Sequence, residues 1–292
     1  MTTIADSFYA ILARCDLTDA DRAALATHRR EVEACLKGTL ELSKIQVIGS
    51  AARGSAIRQT SDVDLLAVLR NTEWQWGGSR TSSSTVLNKV RDRLRARYPA
   101  TDLGRDGQAI VVTFSDGKSL DVVPAGWIRA QSDGWPLYII PDGAGGWRET
   151  APDSHGRFVG EADARSGGKL KNVARIFKYW KWCRVEPVPI SSFHVELLVA
   201  SDAVCGVGTT YGECFAALLQ RLASRECRAL QDPLGISGLI AACGTDAKRA
   251  TALRSVLASA DRASSAIAAE RRGDAVEARR LWNIVFNDRF PR

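Results

Sequence analysis

The sequence has few of the patterns that mark membrane, secreted or zinc-stabilised proteins. No apolar run approaches the roughly 20 residues that a membrane-spanning helix needs. The N-terminal residues MTTIADSFYAILARCDLTDADR carry acids where a signal peptide would carry basic residues, so we expect a cytoplasmic protein without membrane association. The seven cysteines form no C-x-x-C pair and the three histidines are scattered, which argues against structural zinc and favours reduced, mostly buried cysteines.

The overall composition is that of a folded globular protein. Of the 292 residues, 45% are hydrophobic and 25% are charged, which excludes a largely disordered chain. The length exceeds the usual size of a single core and predicts one large domain or two packed lobes. A net charge of +7 favours anionic partners such as phosphate-bearing ligands, although it also suits a soluble surface.

The hydrophobic pattern predicts an α+β fold with a mixed sheet and flanking helices, followed by an all-helical lobe. A long helix, capped at Thr18 or Asp19, precedes the strand-like runs IQVI, VDLLAVL, AIVVTF and SLDVVPA. Residues 115–118 form a turn between the last two runs, and a loop-rich interval follows Ala125. From Phe158 onward the pattern is helical almost throughout, so we expect lobes at 1–157 and 158–292.

Two acids, Asp62 and Asp64, stand one residue apart in the strand-like run VDLLAVL. Side chains alternate between the faces of a strand, so both carboxylates project from the same face. Asp121 in SLDVVPA joins them if its strand lies alongside. Converging carboxylates repel one another unless a cation lies between them, and Mg²⁺ prefers such hard oxygen ligands. The pattern therefore predicts a metal site that binds phosphate oxygens.

A Gly-Ser pair, Gly49 and Ser50, lies upstream of the two acids. Glycine lets backbone amides approach a triphosphate closely, and the following AARGSAI can open a short helix. The Ser50 hydroxyl adds a donor. The pair therefore predicts a phosphate-binding turn beside the metal site.

Together these residues resemble the signature of the DNA polymerase β-like nucleotidyltransferases. The stretches GSAARGSAIRQTSDVDLL, LDVVPA, FKYWKW, SSFHVELL and LWNIVFNDRFP further resemble bacterial cGAS/DncV-like nucleotidyltransferases, which are relatives of the oligoadenylate synthases. The resemblance covers nearly the whole chain. It implies a polymerase β-like core in residues 1–157 and an oligoadenylate-synthase-like helical lobe in residues 158–292.

The resemblance also implies roles for individual residues. Asp62, Asp64 and Asp121 would be catalytic and would hold Mg²⁺, with Mn²⁺ as a substitute, while Gly49 and Ser50 would bind the donor triphosphate. In the helical lobe the family places a lysine and a serine against the same triphosphate, and the matching positions are Lys178 and Ser192. The alternatives are Lys181, Lys171 and Ser191, and a solvated lysine on a polar helix face remains open for Lys178.

The activity implied by the resemblance is the condensation of ribonucleoside triphosphates into a cyclic or linear di- or trinucleotide, with release of pyrophosphate, in antiphage signalling. ATP, GTP and UTP are all compatible substrates, and an effector protein of the same defence system would sense the product. The alternative is nucleotidyl transfer to an RNA, protein or small-molecule acceptor. A third and less favoured hypothesis is a catalytically inactive nucleotide sensor.

Two departures and one absence qualify the resemblance. The family often carries a D-P-x-x-H-like segment near the cleft, whereas here His155 follows Pro152, Asp153 and Ser154 in that order. The segment LQDPLGISGLI lacks an asparagine that relatives often carry after Asp-Pro. The zinc-binding thumb of the animal DNA sensor is absent, so activation by double-stranded DNA is not expected. No heptad pattern stands out, and we expect a monomer.

Overall fold

The fold comes from a computed structural model that describes residues 2–60 and 62–292. Contacts divide these residues into two compact units. The sheet unit comprises residues 17–53 and 62–156, and the helical unit comprises residues 2–16, 54–60 and 157–292. The boundary at 156/157 lies one residue from the expected one, but the grouping of 2–16 and 54–60 with the helical unit was not expected.

Helices occur in both units. Those in the described ranges are α1 Ile4–Cys15, α2 Asp19–Thr39, α3 Gly49–Arg53, α4 Asn71–Trp74, α5 Ser83–Arg97, α6 Pro152–Arg165, α7 Lys169–Cys183, α8 Ser192–Ser201, α9 Tyr211–Ser224, α10 Asp246–Arg271 and α11 Ala275–Val285. Thr18 caps α2 as predicted, because its hydroxyl accepts a hydrogen bond from the backbone N–H of Asp21 at 3.1 Å. The predicted long helix is thus α2, and α1 is a separate helix before it.

Strands are concentrated in the sheet unit. Those in the described ranges are β1 Leu42–Ile48, β2 Asp62–Leu69, β3 Gln75–Trp76, β4 Ser79–Arg80, β5 Asp102–Asp106, β6 Ala109–Thr113, β7 Ser119–Ala130, β8 Pro136–Pro141, β9 Trp147–Thr150, β10 Leu230–Gln231 and β11 Leu239–Ile240. The main sheet runs β1-β2-β7-β6-β5, with β8 paired to β7 and β9 paired to β8. The pair β2 and β7 is parallel, and the other pairs of this sheet are antiparallel.

The predicted hairpin between β6 and β7 is confirmed, and Phe114 N–H closes its turn by donating to the Lys118 carbonyl at 2.8 Å. The loop-rich interpretation of the residues after Ala125 is wrong in part. There β7 continues to Ala130, and β8 and β9 follow. These segments are strands because β8 pairs with β7 and buries Tyr138, Ile139 and Ile140.

The two faces of the main sheet have different neighbours. One face, which includes Leu65 and Val122, forms a buried core with apolar residues of α2 and α5. The opposite face carries a smaller core that includes Leu66, Val123 and Tyr138. Since side chains alternate along a strand, the odd positions of β2 serve the first core and the even positions lie on the second face. This alternation decides on which face Asp62 and Asp64 project.

An aromatic core explains why α1 belongs to the helical unit. Phe8 of α1 meets Trp282 of α11 edge to face with ring centroids 5.0 Å apart, and Phe215 stacks on Phe286 at 5.4 Å. Trp180 is also fully buried there. Each such side chain contributes roughly 2–3 kcal/mol of hydrophobic free energy. These aromatic contacts therefore hold helices from both ends of the chain in one unit.

The cysteines agree with the sequence interpretation. All seven are free thiols, and five of them are buried.

In residues 2–60 and 62–292, no helix combines the length and the apolarity that crossing a membrane requires.

Candidate active site

The three predicted acids lie on neighbouring strands of the main sheet. Asp62 and Asp64 occupy alternate positions of β2 and so project from the same face. Asp121 of β7 is the register partner of Asp64 across the parallel pair, and Ser119 is the partner of Asp62. Partners in register project from the same face of a sheet. The expectation that the strand of Asp121 lies beside that of the other two acids is therefore confirmed.

The carboxylates influence one another electrostatically. Burial, followed by the negative charges of Asp64, Asp62 and Asp106, raises the pKa of Asp121 to about 7. Asp106, at the end of β5, was not predicted from the sequence. The alternation along β5 and the pairing of β5 with β6 place it on the same face as Asp121. This fourth acid adds to an already strongly negative region.

The donor set fits a divalent cation, although the carboxylates are not pre-arranged around one. In the described part of the chain, no three His, Cys, Asp or Glu side chains are close enough together to form a ready metal site. The Ser119 hydroxyl donates a short hydrogen bond to Asp62 Oδ1 and thereby holds that carboxylate. A hard cation would neutralise these oxygen donors, whose repulsion adds to burial in raising the pKa of Asp121.

The raised pKa of Asp121 leads to a prediction about stability. Because an unfolded Asp has a pKa near 3.9, the folded metal-free protein binds more protons between about pH 4 and pH 7. Its free energy of unfolding should therefore fall as the pH rises through this window. Urea denaturation in EDTA at several pH values measures this slope for the native chain and for Asp121→Asn, in which the slope should become shallower. Identical slopes for the two proteins would contradict the prediction.

Gly49 contacts Asp64 directly. It follows Ile48, which is paired with Asp64 across β1 and β2, and it begins the five-residue helix α3 that contains Ser50. Its φ is +67°, a left-handed conformation that favours glycine. A Cβ atom on Gly49 would lie 1.8 Å from Asp64 Oδ2. Both the backbone angle and the neighbouring carboxylate therefore require glycine here.

Lys178 of α7 lies in a buried ionic network of the helical unit. The side chain is 6% exposed, so the interpretation as a solvated lysine is wrong. Its ammonium donates to the Ser55 carbonyl at 2.8 Å and lies 3.4 Å from Glu196 Oε1. Ser55 Oγ donates to the same Glu196 oxygen at 2.6 Å. The network ties the segment 54–60, which connects α3 to β2, to the helices α7 and α8.

Removing Glu196 should destabilise the protein strongly. In Glu196→Ala the buried ammonium of Lys178 loses its carboxylate partner, and the free energy of unfolding should fall by about 3–5 kcal/mol. Urea denaturation measures the change. The matched control is Glu161→Ala, an exposed acid 3.9 Å from Arg157, for which the loss should stay below about 1 kcal/mol. A similar loss in the two variants would contradict the importance of the network.

The alternatives to Lys178 and Ser192 have other contacts. Lys181 donates to the Ile190 carbonyl, and burial, followed by the charge of Lys178, lowers its pKa to about 8. Lys171 forms an ion pair with Asp163 at 3.7 Å. The Ser191 hydroxyl caps α8, in which Ser192 is the first residue. The assignments of Lys178 and Ser192 to the triphosphate thus remain predictions.

The two segments that depart from the family pattern, around His155 and around Asp232, make structural contacts. His155 is buried, and its Nδ1 lies 3.0 Å from the Ala151 carbonyl. In LQDPLGISGLI, the carboxylate of Asp232 accepts hydrogen bonds from the backbone N–H groups of Leu234, Ile236 and Ser237. Both side chains therefore contribute to local backbone structure.

The mixed sheet with flanking helices, followed by a helical C-terminal region, has the architecture of the DNA polymerase β-like fold. Residues 1–161 match the family described as the Second Messenger Oligonucleotide or Dinucleotide Synthetase domain. The match covers more than half of the chain, which therefore belongs to this family.

Individual relatives agree with this membership. A probable cyclic nucleotide synthase of Bacillus cereus (strain VD146) is 26% identical over 235 residues, which cover 79% of this chain and 68% of the relative. The cyclic AMP-AMP-AMP synthase of Escherichia coli (strain MS 115-1) is 25% identical over 188 residues, which cover 62% of this chain but only 56% of that protein. A structure of E. coli MS115-1 CdnC with ATP has the same fold, with a TM-score of 0.74, 19% identity and 98% coverage of both chains.

Proposed function

We propose that this nucleotidyltransferase joins ribonucleoside triphosphates into a cyclic or linear di- or trinucleotide and releases one pyrophosphate for each bond formed. The family membership supports this activity. The observation that carries it is the register of Asp64 beside Asp121 on parallel strands, with Gly49 packed against Asp64.

In this reaction a ribose hydroxyl of one nucleotide attacks the α-phosphorus of another. The new O–P bond forms as the bond to pyrophosphate breaks, and the hydroxyl proton must leave. Asp121 would assist the removal of that proton. Asp62, Asp64 and Asp121 would hold Mg²⁺, or Mn²⁺ in its place, and the bound metal would neutralise phosphate charge and acidify the hydroxyl.

The donor triphosphate would lie against the turn at Gly49 and Ser50. A residue without a side chain leaves the backbone N–H groups of this turn accessible to phosphate oxygens. Lys178 and Ser192 of the helical unit are the further candidates for triphosphate contacts. The ammonium of Lys178 already forms an ion pair with Glu196, so a phosphate contact would share its positive charge between two anions.

The family resemblance supports a biological setting for this activity. The protein would act in the cytoplasm as a monomer, and an effector protein of the same antiphage defence system would bind the product. ATP, GTP and UTP are candidate substrates. ATP should be tested first, because one relative is named a cyclic AMP-AMP-AMP synthase.

The deciding experiment is an incubation of the purified protein with the four ribonucleoside triphosphates, singly and in pairs, with Mg²⁺ or Mn²⁺. Mass spectrometry of phosphatase-treated mixtures should detect di- or trinucleotides that are absent with Asp62→Asn/Asp64→Asn. Pyrophosphate release only after addition of RNA, another protein or a small hydroxylated molecule would instead support transfer to that acceptor. Absence of pyrophosphate release in every mixture would contradict the proposal.

A further inference from the structure

A separate cavity of about 210 Å³ lies within the helical unit. Residues of α1, α7, α9 and α10 and of the segment before α9 line it, among them Phe8, Tyr9, Lys169, Tyr211 and Glu270. These residues include none of those assigned above to the metal, the triphosphate or the Lys178 network. A volume of this size accommodates a group as large as one long side chain.

Glu270 supplies a carboxylate to the cavity. Its Oε1 accepts a hydrogen bond from the indole N–H of Trp282 at 2.8 Å. No second donor approaches Glu270 in residues 2–60 and 62–292, so its Oε2 has the capacity to bind a ligand. Burial raises the pKa of this carboxyl, and the negative charge of Glu213 adds to the effect. The carboxylate is therefore partly desolvated and lacks a cationic partner among the described residues.

The basic residue that lines the cavity does not neutralise Glu270. Lys169 has three N–H donors on its ammonium, and it donates to the carbonyls of Gly206, Val207 and Thr209. The ammonium thus holds the loop before α9. Arg271, the next residue after Glu270, instead binds Glu213 at 3.2 Å.

Aromatic rings form another part of the wall. Tyr9 and Tyr211 meet edge to face with centroids 5.4 Å apart, and Phe8 is buried beside them in α1. The Tyr211 hydroxyl accepts a hydrogen bond from Asn172 Nδ2 at 2.9 Å, which holds that ring in place. The negative faces of aromatic rings attract cations, and an adjacent carboxylate adds to the attraction.

We propose that this cavity binds an organic cation, namely a guanidinium or alkylammonium group on an alkyl stem. Glu270 Oε2 would accept the charged N–H group, while Tyr9, Tyr211 and Phe8 would contact the stem and the cationic face. Among the described residues, an anion would meet the Glu270 carboxylate, and the one ammonium in the lining, that of Lys169, is already bonded to three carbonyls. A hard metal ion would find one carboxylate among aromatic rings, which is a poor donor set for it.

The test is isothermal titration calorimetry of the full-length protein with agmatine, whose butyl stem carries a guanidinium group at one end and an ammonium group at the other. The neutral analogue n-butylurea has a similar stem but carries neither charge. Agmatine should bind, and n-butylurea should bind at least about tenfold more weakly, because a charge-assisted hydrogen bond to Glu270 is lost. Equal affinities for the two compounds, or no heat from agmatine at millimolar concentration, would overturn the proposal.

Variants locate the binding. Glu270→Gln retains the shape and the acceptor for Trp282, and it should weaken agmatine binding at least about tenfold. Tyr9→Ala removes a ring that is 60% exposed. It should weaken binding several-fold, because one cation–π contact is lost. Glu277→Gln, which changes a partly exposed acid of α11 paired with Arg280, is the control and should leave the affinity unchanged. Unchanged binding in Glu270→Gln, or equal weakening in Glu277→Gln, would place the cation elsewhere.

A further titration distinguishes two sources of the cation. An acetylated and amidated Gly-Arg-Gly peptide presents the same guanidinium group as a side chain. Binding at least about tenfold tighter than agmatine would identify an arginine of a protein partner as the ligand, because backbone contacts would add to the cavity. Weaker peptide binding would identify a free organic cation. In either case Glu270→Gln should weaken the binding of the cation. If the substitution weakens the binding of neither agmatine nor the peptide, the proposed site is wrong.

Discussion

Replacing Asp64 by asparagine is expected to lower the rate of nucleotide condensation by about a thousandfold or more while the folded structure is retained. The asparagine side chain would have the same shape but no negative charge, so one of the three proposed metal ligands would lose its charge and most of its affinity for a hard cation. Phosphoryl transfer depends mainly on positioning and on neutralisation of phosphate charge, which explains the size of the effect. Initial rates of pyrophosphate release, measured at saturating nucleotide and Mg²⁺, test this expectation.

The matched control is Asp92→Asn, which changes an exposed acid of α5, the helix that packs on the opposite face of the main sheet. This variant should retain activity within about a factor of three, since a surface substitution away from the site changes energies by at most about 0.5 kcal/mol. Melting temperatures of both variants should lie near that of the native chain. Activity of the Asp64 variant within tenfold of the control would contradict the assignment of Asp64 to the metal site.

The acids of this site could be predicted because strand geometry is local. The spacing of Asp62 and Asp64 places them on one face whatever the rest of the fold does, since side chains alternate with a period of two. Asp121 required one further assumption, that its strand lies beside β2, and the parallel register confirms it. The cap at Thr18 was predictable for the same reason, because a capping box spans only four residues.

Features that depend on contacts distant in sequence were not predictable. The charge of Lys178 is satisfied by Ser55 and Glu196, and Ser55 lies 123 residues away along the chain. The sequence around Lys178 is equally compatible with an exposed or a buried amine, so its burial could not be inferred. The same holds for α1, whose Phe8 packs against Trp282 near the opposite end of the chain. Asp106 was missed because its position relative to Asp121 depends on two successive antiparallel pairings.

Gly49→Ala is expected to impair both activity and stability. A non-glycine residue in the left-handed region costs about 1–2 kcal/mol, and the φ of Gly49 is +67°. The new methyl group would also lie 1.8 Å from Asp64 Oδ2 unless that carboxylate moved. A displacement of about 1 Å at a catalytic group costs on the order of a hundredfold in rate. We therefore expect at least that loss in kcat, with a lower melting temperature.

Gly117→Ala separates the two causes. Gly117 has a φ of +79° in the turn between β6 and β7, and a Cβ there would meet no described atom within 4 Å. This control should lose a similar 1–2 kcal/mol of stability from the left-handed backbone alone but should keep nearly native kcat. The difference in kcat between the two variants then measures the effect of moving Asp64. Equal kcat values would mean that Asp64 tolerates the displacement, which would contradict a catalytic position defined by its contact with Gly49.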